Sequence, residues 1–284
     1  MMSRYLADRI AKHLVLALGI SSFLILVLIA IFIFREGYPA CRELGFSLFG
    51  TKWYPSRDAF GIATMIVGSA VVTLIALAIA VPLSLGCAIF LAEVAPPRVR
   101  GFARPAVELL VGIPSVVYGL VGLVVLTPVI ADIGGRGSGS SVLAAGIVLA
   151  IMVLPTIASI SEDSIRAVPP QYKEGALAMG ATQWQSIRHV LLPAARPGII
   201  AATILGTGRA IGETMAMIMV IGNSPIFPDS IFSPARTLTG NIAVEIPHAT
   251  GTHASALFAT GVVLFVMVML INSVGLIFYR RTAR

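Results

Sequence analysis

Two charged residues inside an otherwise apolar run are best placed to do chemistry: Arg209 and Glu213, in the stretch Gly208–Thr214, GRAIGET. Arg209 falls about 12 residues past Pro197, roughly 18 Å along a helix at 1.5 Å per residue, near the middle of a bilayer. A cation there costs about 2.5–3.5 kcal/mol on insertion scales, and such residues face a bundle interior or a polar route. Glu213 follows at i+4, on the same face of a continuous helix. Gly208 and Gly212 form G-x-x-x-G around the pair, a spacing that lets helices approach closely. Two readings stand side by side. In one, the pair neutralises itself as a structural ion pair. In the other, Arg209 is a positive site on the route of an anion, and Glu213 holds it in place when the anion is absent. A guanidinium fork suits phosphate-like oxyanions. Ser115 and Tyr118, beside Pro114, offer hydroxyls to the same kind of guest.

Covalent chemistry finds no support. There is no G-x-x-x-x-G-K-[ST], no H-E-x-x-H and no G-x-S-x-G. The histidines, His13, His189, His248 and His253, are scattered. Cys41 falls in a loop and Cys87 inside a span, so neither a disulfide framework, a metal site nor a cofactor is expected. An intramembrane enzyme built on Glu213 and a histidine is disfavoured, because the histidines lie outside the spans and the carboxylate has an arginine beside it.

Membrane helices must position these residues. The chain has 284 residues, of which 57% are hydrophobic and 12% charged. Its mean hydropathy is +0.94. That composition excludes a soluble fold and implies an all-α polytopic membrane protein. The net charge of +7 sits in loops, which points to membrane topology and lipid rather than to nucleic acid. Six spans of about 20 residues or more are expected: Leu14–Phe34, Ile62–Ala92, Ala106–Ala131, Val142–Ile160, Gly198–Ile221 and Ala254–Tyr279. With both termini in the cytoplasm, thirteen basic residues lie inside and six outside, Arg136 among the latter. Ahead of the first span, Tyr5, Leu6 and Ile10 alternate with Arg4, Asp8, Arg9 and Lys12, as an interfacial helix or a plain polar flank. Pro82, Pro114, Pro128 and Pro155 are expected to kink their spans. Glu93 and Glu108, at span ends, are read as solvated and without a role. The external loops Arg35–Gly61 and Gly222–His253, with their Trp, Tyr and Pro residues, serve as interface anchors or as a landing surface for a solute-binding protein. Gly134–Ser141, GGRGSGSS, reads as a flexible turn. The chain divides into an N-terminal segment (1–61), with one span and an external loop, and a five-span core (62–284) holding a cytoplasmic segment (165–196).

That cytoplasmic segment is the most patterned polar stretch. Pro169 and Pro170 suit the first turn of a helix. Tyr172, Ala176 and Met179 then share a face. Gly180 can take the left-handed conformation that ends a helix. Thr182 and Gln185 form a T-x-x-Q capping box for a second helix, with Trp184, Ile187 and Leu191 along its apolar side. Pro193 is expected to end it. Two short helices at an angle make a knob that can fill a groove on another protein.

Glu174-Gly175-Ala176, Gly180 and Val190-Leu191-Leu192-Pro193 together resemble the EAA motif of ABC-importer permeases, with Gly175 in place of an alanine and Val190 in place of an isoleucine. Gly208–Asn223, GRAIGETMAMIMVIGN, and Gly112–Leu123, GIPSVVYGLVGL, are similar to segments of the phosphate ABC permease pair. The Thr214-Met215-Ala216 and Ile221-Gly222-Asn223 continuations look more like its PstC type than its PstA type. The resemblance covers the chain from about Trp53 onward. It implies a type I ABC-importer (MetI-like) core and a prokaryotic cell-membrane location. It also implies a second, PstA-like permease subunit, two ATPase subunits and an extracytoplasmic phosphate-binding protein as partners. It assigns Arg209 and Glu213 to phosphate passage. Tyr172, Glu174, Gly175, Ala176, Met179, Gly180 and Pro193 become the ATPase-coupling surface. A permease for another oxyanion, such as molybdate, tungstate or sulfate, fits the same residues.

Overall fold

The computed structural model describes residues 2–134 and 138–282, the side chains of 2–7 and 280–282 excepted. Arg136, counted above among the external charges, lies outside the described residues, as do the side chains of Arg4, Tyr5, Leu6, Arg280, Arg281 and Arg284. In chain order the elements are α1 (Met2–Leu44), the hairpin β1 (Trp53–Tyr54) and β2 (Ala59–Phe60), α2 (Ala63–Ile89), α3 (Pro97–Val111), α4 (Ser115–Val121) and α5 (Thr127–Gly134). After them come α6 (Val142–Arg166), α7 (Pro170–Ala178), α8 (Gln183–Ser186), α9 (Leu192–Gly212), α10 (Met215–Val220), α11 (Leu238–Glu245) and α12 (Gly251–Thr282). The fold is all-α apart from that two-residue hairpin, which pairs Trp53 with Phe60.

Among the described residues, six helical stretches are long and apolar enough to cross a membrane: Asp8–Phe49, Ala63–Val94, Ser115–Gly134, Val142–Arg166, Gln183–Gly212 and Gly251–Tyr279. Three differ most from expectation in where they start or stop. The first is longer at both ends, so the amino-terminal flank is the opening turns of α1 rather than a separate helix on the membrane. The third was expected to begin at Ala106, yet α3 stops at Val111 and a new helix starts at Ser115. Pro114 sits before that start with extended backbone (φ −58°, ψ 139°), so it begins a span instead of kinking one. Pro128, by contrast, lies within the third stretch, just past the π-helical turn Gly122–Leu126, and Pro82 and Pro155 lie inside α2 and α6.

The fifth span departs most. It starts at Gln183 and ends at Gly212, so α8 and α9 form one unbroken rod. Pro193 therefore does not end a helix. The π-helical turn Ile187–Leu191 widens the spiral just ahead of it, and Pro193 falls in the first turn of α9. Within that continuous rod Pro193 has no N–H to donate to the ladder, and the widened turn ahead of it accommodates the missing hydrogen bond.

The core is built on α6, flanked by α2 and α9, with Val72, Ala76, Ala80, Leu149, Val153, Ile157, Ala202 and Ala210 fully or nearly fully buried. Small residues set the spacing. A Cβ on Gly206 would lie 2.5 Å from Ile157, and one on Gly146 would lie 2.5 Å from Ile75. Gly198 meets Ser164 in the same way. The expected G-x-x-x-G contact is absent: Gly212 faces open space, and Gly208 has only Asn272 Oδ1 nearby, at 3.9 Å. Close packing of α9 thus runs through Gly198 and Gly206, on the side turned to α6. A second cluster, with Trp53, Phe60, Met65, Leu238 and Leu257, ties the β1–β2 hairpin to α2, α11 and α12. α1 leans on α12 through Phe32–Phe258 and Phe34–Phe265 edge contacts.

Candidate functional site

Arg209 lies in the last turn of α9 and is half-buried. Its Nη1 donates to Thr156 Oγ1 at 3.3 Å, across from α6. No carboxylate among the described residues lies within ion-pair distance of it. The same-face pairing with Glu213 is therefore not what the chain adopts. The helix stops at Gly212, and Glu213 has extended backbone (φ −68°, ψ 131°). Its Oε1 accepts from Ala216 N at 3.2 Å, at the start of α10. Free amides at a helix start attract a carboxylate, and here they outbid the more distant guanidinium. The Glu213 carbonyl accepts from Thr239 Oγ1 at 2.9 Å, which fixes the break to α11. Ser69, Thr73, Thr237 and Glu213 line a void of about 10 Å³, room for about one water.

Tyr118 stands within electrostatic reach of Arg209. Its hydroxyl donates to Leu110 O at 2.8 Å. α4 packs on α10, where a Cβ on Gly119 would lie 2.8 Å from Met219 Sδ. Ser115 opens α4 and is half-buried. The structure thus gathers Arg209, Thr156 and Tyr118 and gives Glu213 a different hydrogen-bond partner. Thr156 escaped the sequence reading, since a neutral residue after a proline carries no signal of its own. What the set can do chemically is present one unpaired cation and two hydroxyls without a nucleophile.

The segment 165–196 has the expected local form. Gly180 is left-handed (φ +86°). Ala181 N donates to Ala176 O at 3.1 Å and Gly180 N to Leu177 O at 3.0 Å, a Schellman closure of α7. The capping box is formed: Gln185 N donates to Thr182 Oγ1 at 3.2 Å and Thr182 N to Gln185 Oε1 at 2.8 Å. Tyr172, Glu174, Gly175 and Met179 are exposed, Met179 to 88%. Ala176 is half-buried and Pro193 exposed. Trp184 differs from expectation: Ile187 and Leu191 are buried, but Trp184 turns outward at 58% exposure. Gly175 has an ordinary helical backbone and open space where a Cβ would sit. Gly175→Ala should therefore stiffen α7 by up to about 1 kcal/mol and leave transport unchanged, as thermal unfolding and an uptake assay would register.

Two charge clusters were not anticipated. Glu93 is not solvated: its side chain is 12% exposed and its Oε2 lies 2.5 Å from Lys173 Nζ. Arg104 of α3 bonds Glu108 Oε1 at 3.0 Å and Asp163 Oδ1 at 2.9 Å, and it stands 3.5 Å from Glu162 Oε1. Glu162 is fully buried and has Arg166 at 3.5 Å as well. The Glu108 hydrogen bond, with the Asp163 and Glu162 charges, holds the Arg104 guanidinium above its ordinary pKa against the opposing effect of burial.

Residues 84–284 match the family model of the binding-protein-dependent transport system inner membrane component. The probable ABC transporter permease protein YqgH of Bacillus subtilis is 44% identical over 249 residues, covering 85% of this chain and 81% of that one. The phosphate transport system permease protein PstC of Xylella fastidiosa is 39% identical over an alignment of 298 residues, covering 98% of this chain and 92% of that one. A chain of the MetNI methionine ABC transporter in an inward-facing structure superposes with a TM-score of 0.58 at 24% identity, over 79% of this chain and 95% of that one. The family model spans most of the chain and the relatives cover it nearly end to end, so this chain belongs to the family of binding-protein-dependent transport system inner membrane components.

Proposed function

We propose that this multi-pass membrane protein is one of the two permease subunits of an ATP-driven importer of inorganic phosphate. Its partners are a PstA-like permease, two ATPase subunits and an extracytoplasmic phosphate-binding protein, and both of its termini lie in the cytoplasm. The observation that carries the reading is Arg209, in the last turn of the fifth apolar helix, with a neutral threonine as its hydrogen-bond partner. A half-buried guanidinium with no carboxylate partner among the described residues is open to a counter-ion, and an oxyanion on its route supplies one. Phosphate presents several oxygens to the fork while the Tyr118 and Thr156 hydroxyls are in reach to share it. Ser115 lines the approach. Glu213 acts at one remove, by holding α10 at the break beside Arg209. Because no carboxylate competes for Arg209, release depends on the cavity changing its access, not on an internal anion taking over. The ATPases act through the Tyr172–Pro193 surface, which is continuous with the helix bearing Arg209.

The names of the similar PstC proteins favour phosphate over another oxyanion. The test is uptake of labelled phosphate into proteoliposomes holding the complete complex. Uptake should need ATP and survive excess sulfate, molybdate or tungstate. Transport of one of those ions in place of phosphate would overturn the assignment.

A further inference from the structure

The cytoplasmic end of α2 is gripped by three other elements. Its last turn opens into the π-helical turn Phe90–Val94. Such a turn breaks the ordinary hydrogen-bond ladder and leaves carbonyls free for side chains. Arg100 of α3 takes two of them, Nε to Leu91 O at 2.6 Å and Nη2 to Ala92 O at 2.5 Å. Gln183, at the start of α8, donates from Nε2 to Glu93 O at 3.3 Å. Lys173 of α7 closes on the Glu93 carboxylate at 2.5 Å.

These bonds matter because little else holds α7. None of its residues is buried. A cavity of about 300 Å³, lined by Glu93, Arg166, Pro170, Lys173 and Leu191 among others, lies beside it. The knob is thus joined to α9 by the backbone of α8, and to α2 mainly by side chains meeting at Glu93. From there α2 runs about 36 Å, at 1.5 Å per residue, to Ser69. Ser69 Oγ accepts from Leu238 N at 2.9 Å, and Gly68 lies against the Arg236 carbonyl. Leu238 opens α11, whose Thr239 holds the Glu213 break. One helical stretch therefore touches the coupling knob at one end and the support of the Arg209 region at the other.

We infer that Glu93 is a positioning residue for energy coupling: its ion pair with Lys173 and its carbonyl bond from Gln183 deliver displacement of the knob to α2 as well as to α9. The inference rests on the reading of the knob as the ATPase-docking surface. With the latch intact, α2 and α9 move together on either side of α6. With it broken, the knob drags α9 alone, and the external end of α2 stays where it was while ATP is spent.

The test measures phosphate taken up per ATP hydrolysed in proteoliposomes of the complete complex, for Glu93→Lys, Lys173→Glu and the double exchange. Each single variant should lower that ratio about tenfold, within the usual range of coupling between sites, and the exchange should recover most of it. Glu93→Gln, nearly isosteric, gives the same comparison if charge reversal impairs assembly. An unchanged ratio in the single variants overturns the latch, as does uptake and hydrolysis falling together. Failure of the exchange to recover the ratio overturns the ion pair as its source. The underlying reading is checked separately by cross-linking Met179→Cys to the ATPase. Absence of that cross-link removes the docking surface itself, whatever the ratio does.

Discussion

Replacing Arg209 by glutamate should abolish phosphate uptake while the subunit stays in its complex. Hydrogen bonds to a charged group contribute about 1.5–3 kcal/mol each. Losing one or two of them corresponds to a tenfold to more than hundredfold weaker site, and reversing the charge adds repulsion. The fold should tolerate the change. Arg209 is half-buried and held by a single 3.3 Å bond from Nη1, and the Thr156 hydroxyl can donate to a carboxylate as readily as it accepts from a guanidinium. The helix stops at Gly212, so the new charge shares no helix face with Glu213, whose carboxylate is already engaged by Ala216 N. Arg209→Lys separates charge from shape: it keeps the cation, loses the two-pronged fork, and should transport weakly. The measurement is ATP-driven uptake alongside co-purification of the ATPase. Wild-type uptake by Arg209→Glu would mean that the anion takes another route.

Gly180→Val should uncouple the importer without unfolding the bundle. The residue sits at φ +86°, and a Cβ there would meet nothing within 4 Å, so the whole penalty lies in the backbone. An L-residue in that region costs about 1–2 kcal/mol, and a β-branched one more. α7 has nine residues and none of them buried, so nothing in its packing resists the strain. Short helices are marginal on their own, and the Schellman closure should open. A shift of about 2 kcal/mol is up to about thirtyfold in the population of the docking geometry. Stimulated ATP hydrolysis should fall accordingly, with the melting temperature of the spans unmoved. Gly180→Asn, which tolerates the left-handed region, should do less harm. Unchanged stimulation in the valine variant would remove the docking role from this turn. Gly175→Ala is the control, one turn away with an ordinary backbone.

Much of the frame was legible because membrane helices announce themselves locally. The number of apolar stretches, the Gly180 closure and the Thr182–Gln185 box depend on residues within a few positions of each other. Helix ends inside the apolar stretches were not legible. Hydropathy runs on through Val111–Ser115 and through Gly212–Met215, where the backbone stops and restarts. Pro114 and Pro193 could each have been a kink, a stop or a start, and the choice fell to neighbouring turns, one of them π-helical.

The sequence by itself determined a polytopic helical membrane protein, a cation within an apolar helical stretch and a capped two-helix knob, because each of these is written in short-range pattern and composition. Only the tertiary structure decided who partners whom. Lys173 finds Glu93 across 80 positions and Arg209 finds Thr156 across 53. Glu213, by contrast, turns from the arginine beside it to the amides of the next helix. Those outcomes follow from which helix faces meet after packing, and from competition among donors brought together only then.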